Sequence, residues 1–327
     1  MEKRILGLGN AVLDMIAEST ENELAKNNLQ KGSMTLVQEN QSEELRKSTD
    51  FIKKTSGGSV ANTLVGVSML GKTTFFCGKV KNDDLGNFFK RDMEESGTKF
   101  LCKQSESGLP TARCLVFVTP DGERTMQTFL GASTTLDEVD ISESFFQQVE
   151  IVLIEGYLWS SPSARKAITK VINIAHKRKI KVMFSLSNHN LVELFRKDFL
   201  ELVENHVDIL IGNELEFFEM FKSKDDKIIL SEMKDKIDVG IMTKGERGAM
   251  IFENNYTLEV KPLVVENVID TTGAGDMFAA GFLSKIIDGK NALEAANFGC
   301  KVAARIITQY GARPSKELIG DLARDEN

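Results

Sequence analysis

The chain has 327 residues, 42% of them hydrophobic, and carries 41 Lys and Arg against 48 Asp and Glu for a net charge of -7. That is enough to bury a large core, and the acidic balance argues against a nucleic-acid or anionic-membrane partner while leaving nucleotide binding open, since one local basic patch can hold a phosphate. The cysteines Cys77, Cys102, Cys114 and Cys300 form no CxxC pair and the histidines are far apart, so inert reduced thiols and a cytoplasmic location are expected, with neither a signal peptide nor a membrane span.

In chain order, RILGLG (4–9) reads as a buried strand ending in glycine and MTLV (34–37) as a short extended segment. A charged helix is expected over 41–54, a second over 59–70 between Gly-Gly and Gly71, a strand at 73–77 and a helix at 84–95. Between 98 and 130, ARCLVFVT and TMQTFL flank Pro120-Asp121-Gly122, a turn signal that predicts a hairpin. With 12–18 and 34–37, this section is expected to form a small sheet standing off the main body.

Beyond about residue 150 the pattern alternates. IVLIEG (151–156), KVMFSLS (181–187), DILIG (208–212) and VGIMT (239–243) read as buried strands separated by helices at 161–177, 191–204, 213–221 and 228–235. That alternation predicts a parallel sheet covered by helices on both faces. A hairpin of AMIF (249–252) and TLEV (257–260) and helices at 276–287 and 291–310 close the chain. The simplest account is one α/β domain over 1–327 with a β lid from 12–18, 34–37 and 98–130.

The most informative segment is DTTGAGDMFAAGFL, 270–283. Gly273, Ala274 and Gly275 stand at the mouth of a helix apolar on nearly all sides. Glycines there let the backbone turn sharply, and the free N–H groups and helix dipole favour an anion. Asp276 follows; at a helix N-terminus its carboxylate is expected to stay ionised and so to accept an alcohol's proton during phosphoryl transfer. Helix capping is the competing role for this residue type.

This segment resembles the C-terminal signature of the ribokinase-like (PfkB) carbohydrate kinases. Gly57-Gly58-Ser59-Val60-Ala61-Asn62 resembles the same family's N-terminal signature, and Asn213-Glu214-Leu215-Glu216 its N-x-x-E motif. The resemblance spans 4–314. It implies a three-layer α/β sandwich with a mostly parallel central sheet and a small β lid, and an ATP- and Mg2+-dependent kinase. It implies Asp276 as base, with the amides of Gly273, Ala274 and Gly275 as anion hole. Asn10, Asp14, Gly57, Gly58 and Asn62 would bind the acceptor. Asn213 and Glu216 would serve magnesium through water, as that ion's preference for oxygen ligands and retained water allows. Thr243 and Gly245 would contact ATP, and Asp270 is a candidate for a monovalent cation such as K+. Gly-Ala-Arg-Pro at 311–314 is expected only to end its helix.

Three stretches, GNAVLD (9–14), GERTMQTFLGAS (122–133) and EGYLW (155–159), resemble the bacterial adenosine-kinase-like branch. On that resemblance a purine would need a flat apolar wall, for which Phe129, Phe117 and Leu130 of the lid, or Tyr157 and Trp159, are candidates. The expected reaction is adenosine to AMP. A sugar kinase acting on ribose, fructose or a sugar acid is the alternative, and a non-catalytic nucleoside sensor a more distant one. No nucleic-acid or membrane partner is expected, and either a monomer or a homodimer fits.

Overall fold

The computed structural model describes residues 3–253, 255–315 and 317–319. Its strands are β1 (Arg4–Leu8), β2 (Val12–Glu18), β3 (Met34–Leu36), β4 (Lys53–Gly57), β5 (Thr73–Cys77), β6 (Thr98–Phe100), β7 (Ala112–Val118), β8 (Arg124–Phe129), β9 (Val149–Glu155), β10 (Lys181–Ser185), β11 (Ile209–Asn213), β12 (Val239–Thr243), β13 (Ala249–Glu253) and β14 (Tyr256–Val260). Among the described residues they form a nine-stranded sheet, β14-β13-β12-β11-β10-β9-β1-β5-β6, and a five-stranded sheet, β3-β8-β7-β2-β4. The large sheet is parallel from β12 to β6 and antiparallel only at the β12-β13-β14 edge. Its central strands are apolar along almost their whole length because helices cover both faces. No helix among the described residues is long and apolar enough to cross a membrane.

This is a three-layer α/β sandwich with a smaller lid sheet. Two expected boundaries are corrected. The helix read over 41–54 spans Glu39–Ser48, and Lys53–Gly57 is a lid strand paired antiparallel with β2. Its two lysines are exposed on an edge strand, a device that discourages further pairing and also hides the β signal. The segment 98–100 joins the edge of the main sheet through β5, not the lid.

The carboxyl ends of β1, β9, β10, β11 and β12 all open on one side of the large sheet, the edge at which parallel sheets bind ligands. The Ser59–Met69 and Ala274–Ile286 helices run side by side under that edge. They approach closely at Gly66, where a Cβ would lie 2.8 Å from those of Ala280 and the methyl of Met277.

Candidate active site

The helix Ala274–Ile286 starts at Gly273, which is left-handed (φ 78°), and a Cβ there would stand 2.6 Å from Ala312. Only glycine fits this turn. The Ala274 N–H turns back to the Thr271 carbonyl (3.2 Å), so one of the three expected anion-hole amides is already engaged. The Gly275 and Asp276 N–H groups lie in the first turn, where no intrahelical acceptor exists.

Asp276 is half-buried and held at both oxygens: Ser59 Oγ donates to Oδ1 (2.7 Å) and Asn62 Nδ2 to Oδ2 (3.1 Å). Both donors come from the first turn of the Ser59–Met69 helix, so the two glycine-led segments meet at one carboxylate. Burial raises its pKa to about 6, moderated by those bonds and by Arg313. The expected ionisation at neutral pH therefore holds by a narrower margin than a helix N-terminus alone suggests.

Asp14 packs directly on Gly57, where a Cβ would lie 2.4 Å from Oδ2, and a Cβ on Gly58 (φ 100°) would lie 2.3 Å from the Asn10 carbonyl. The glycine pair thus brings β2, β4 and the β1–β2 loop within contact of each other. Burial raises the Asp14 carboxyl to about 7, against the pull of Arg313 and Arg124.

Two residues of this centre had no role in the sequence reading. Glu155, at the end of β9 and only 1% exposed, accepts from the Asn10 backbone N–H (2.7 Å), Asn10 Nδ2 (3.0 Å) and the Val60 N–H (3.1 Å). It ties the acceptor-side loop to the helix that holds Asp276; burial lifts its pKa to about 7. A lone acid closing the apolar run IVLIE was the available signal. Arg313 is the second: it donates to Asn62 Oδ1 (3.3 Å) and Asp92 Oδ2 (3.2 Å). The expectation that 311–314 only ends a helix is corrected, since this guanidinium reaches the site from more than two hundred residues away.

Asn213 is the N-cap of the Glu214–Phe221 helix. Its N–H and Nδ2 donate to the two Glu216 oxygens (both 2.9 Å), and Glu216 N–H returns to Asn213 Oδ1 (3.0 Å). Glu216 is buried, and burial raises its pKa to about 7. Among the described residues no group of three or more His, Cys, Asp or Glu could hold a metal ion. One carboxylate lining a cleft fits magnesium carried on phosphates and reached through water.

Asp270 is placed otherwise than a cation site requires. Its Oδ2 pairs with Arg124 of the lid (2.5 Å) and accepts from the Gly311 N–H (2.8 Å), while Oδ1 accepts from the Thr272 N–H (3.0 Å). A guanidinium stands where a monovalent cation was expected, so no role for K+ is derived.

Phe129 is also corrected. Leu13, Arg113 and Phe129 are register partners across β2, β7 and β8, and so are Asp14, Cys114 and Thr128. Alternate residues point to opposite faces, so Phe129 faces away from Asp14. It lies under Arg113, which bonds Ser42 of the Glu39–Ser48 helix. Phe117 shares that far face and packs on Phe51. The Asp14 face instead carries Val12, Ala112, Cys114 and Val116. Trp159 is likewise spent elsewhere, donating to Asp198 and packing on Phe199.

Two adjoining cavities lie along the strand ends. One of about 330 Å³ has a mixed lining, in which Ser59, Asn213, Glu216, Thr243 and Asp276 alternate with Val60, Leu153, Ile211 and Ala279. The other, about 780 Å³, is mostly aliphatic, with Val264, Val268, Phe278, Cys300 and Ile307. Thr243, Gly245 and Gly275 border both. An apolar chamber beside a cleft that carries hydroxyl, amide and carboxylate groups suits a nucleotide whose base occupies the first and whose phosphates run along the second.

These features define a small-molecule kinase, an ATP-dependent phosphotransferase. The model of the pfkB family carbohydrate kinases matches residues 31–318, and the chain belongs to that family. A curated relative, the 5-dehydro-2-deoxygluconokinase of Clostridium perfringens, is 26% identical over 306 residues, 86% of this chain and 87% of the relative. Among solved structures, a probable sugar kinase from Rhizobium etli superposes with a TM-score of 0.89 at 32% identity, covering 99% of both chains. The adenosine kinase from Sinorhizobium meliloti does so with 0.90 at 34%, covering both in full.

The resemblance to the adenosine-kinase-like branch is corrected by the curated relatives, which carry the name 5-dehydro-2-deoxygluconokinase across several bacteria. The two solved structures score almost alike, so they support the shared fold and family and not one branch. The stretches that suggested a purine kinase do other work here: GNAVLD and EGYLW supply the Asn10–Glu155 and Asp14–Gly57 contacts, and GERTMQTFLGAS turns its phenylalanine to the far face.

Proposed function

We propose that this kinase transfers the γ-phosphoryl group of ATP to a hydroxyl of a sugar or sugar acid. The observation that carries the reading is the make-up of the acceptor end. Asp14, Asn10 and Asn62 place hydrogen-bonding groups there, with Glu155 buried behind Asn10, while the same lid face adds the small side chains of Val12, Ala112, Cys114, Val116 and Thr128 and its phenylalanines point away. A polyhydroxylated acceptor needs many hydrogen bonds and little flat wall, whereas a purine needs the reverse. The names of the curated relatives lean the same way.

In this reading the acceptor hydroxyl lies against Asp276. Its oxygen forms the new bond to phosphorus as the bond from phosphorus to the bridging oxygen breaks, ADP departs, and the hydroxyl proton passes to the carboxylate. The Gly275 and Asp276 N–H groups face the transferring group and stabilise its charge. Asn10, Asp14 and Asn62 orient the acceptor, Thr243 and Gly245 border the nucleotide, and Asn213 with Glu216 would hold a magnesium ion through water, neutralising phosphate charge.

The test is ADP release with ATP and magnesium, offering D-ribose, D-fructose, D-gluconate, 5-dehydro-2-deoxy-D-gluconate and adenosine in parallel. Turnover on a sugar or sugar acid, lowered at least about a hundredfold in D276N, is expected. Turnover on adenosine alone would overturn the acceptor class, and an active D276N would overturn the base.

A further inference from the structure

Asn62 lies between a cation and the carboxylate proposed as base. Its Nδ2 donates to Asp276 Oδ2 (3.1 Å), and its Oδ1 accepts from Arg313 Nε (3.3 Å). A primary amide has one donating and one accepting end. A guanidinium has only donors, so it fixes which end faces Asp276: with Arg313 on Oδ1, the NH2 must point at the carboxylate. Arg313 is fixed in turn by Asp92, whose Oδ2 also accepts from the Ser56 N–H (2.8 Å) in β4. Its side chain is only 13% exposed, so its charge acts with little screening by water.

We infer that Arg313 is a positioning residue for Asp276. It orients the Asn62 amide so that a donor faces the base, and it supplies the balancing cation for the carboxylates that converge there. Nothing in the motif reading gives the 311–314 segment this task. The inference rests on the reading of Asp276 as base, but the arrangement of Asp92, Arg313, Asn62 and Asp276 can be tested without turnover.

Among the described residues, the charged and titratable groups around Asp276 are Asp14 from β2, Glu155 from the end of β9, Tyr157 just beyond it, Glu216 across the cleft, Arg313, and Arg124 of the lid, which acts on Asp14. Arg313 is the cation that acts on Asp276, and it lowers the proton affinity of both Asp14 and Asp276, with Arg124 acting beside it on Asp14. Losing its charge should therefore raise the pH at which Asp276 titrates, whatever happens to packing. Two substitutions separate charge from orientation. Arg313→Gln keeps an N–H donor for Asn62 and loses the charge. Arg313→Lys keeps the charge but replaces the planar fork, whose Nε and Nη1 bond Asn62 and Asp92 separately, with a single ammonium nitrogen.

The experiment is a carbon-13 NMR titration of the Asp276 carboxyl in the free full-length protein, for wild type, R313Q and R313K. The Asp276 midpoint should move up by about 0.5 pH unit or more in R313Q and stay near wild type in R313K. Steady-state kinetics with ATP and the acceptor chosen by the panel should show kcat lowered about tenfold or more in R313K, with the KM for ATP unchanged. An unmoved midpoint in R313Q would overturn the inference while leaving Asp276 as base. An active D276N would overturn the base and leave the NMR result standing as electrostatics alone. R313Q is also the safeguard against unfolding, since it retains a polar partner for Asn62.

Discussion

Arg124, the first residue of lid strand β8, pairs with Asp270, the leading residue of DTTGAGD, at 2.5 Å, with both side chains largely buried. The lid is thereby fastened to the loop that opens the anion-binding helix. Breaking a partly buried pair leaves one charge uncompensated, and a lid that opens admits water to compete for the phosphoryl group. R124M should therefore raise the acceptor KM by about 5- to 10-fold and increase ADP formed per phosphorylated acceptor. Comparing the two product yields checks this; an unchanged ratio would mean that the pair does not hold the lid.

The parts of the fold legible in sequence are those whose local pattern is also their tertiary role. The stretches 239–242 and 182–184 are apolar and buried because both faces of the sheet are covered, and continuous apolar runs announce that. Lys53–Gly57 was not legible, since an exposed edge strand needs no hydrophobic alternation. Phe129 shows a different limit. The hairpin at 112–129 was evident, but its inward face depends on register with β2, and a shift of one residue reverses every side chain. Arg313 could not be found from local spacing at all, because its partners Asn62 and Asp92 lie 251 and 221 residues away. The glycine-led segments were legible because close backbone approach demands glycine wherever it occurs.

That demand can be tested at Gly58. Its φ of 100° is unfavourable for any side chain, and a Cβ would sit 2.3 Å from the Asn10 carbonyl, a backbone atom that cannot swing aside. G58A should cost about 1–3 kcal/mol of stability. It should also raise the acceptor KM, because Asn10 would be displaced from Glu155. Thermal melting together with acceptor saturation curves checks both effects; wild-type stability would show that the loop relaxes freely.

Activity should depend on pH through the same cluster. Asp276 must be ionised to accept a proton, and burial lifts its pKa to about 6, with Asp14 and Glu155 at about 7. The acid limb of kcat/KM should fall below neutrality with a slope steeper than one proton, since more than one carboxylate must ionise in the free enzyme. A pH–rate profile from 5 to 9 measures it. A flat profile down to pH 5 would contradict the burial of these groups.

The same shifts fix how stability varies with pH. Asp14, Glu155, Glu216 and Asp276 all have pKa values raised by burial above those of the unfolded chain. Below the unfolded values near 4, both states hold these protons and the contribution to stability is fully present. As pH rises toward 7 the unfolded chain releases them first, so stability falls until the folded carboxyls have also ionised. His206, held below its usual value by burial and by His176, acts in the opposite direction with one group against four. Glu43, lowered to about 2 mainly by its bond from Arg46, loses its contribution only in more acidic solution. The ligand-free protein should therefore melt roughly 2–5 °C higher at pH 5.5 than at pH 8. Removing one buried charge with E216Q should flatten this dependence. Calorimetry across that range checks it: a melting temperature that rises from pH 5.5 to 8 would mean that the four carboxyls enter the fold already ionised.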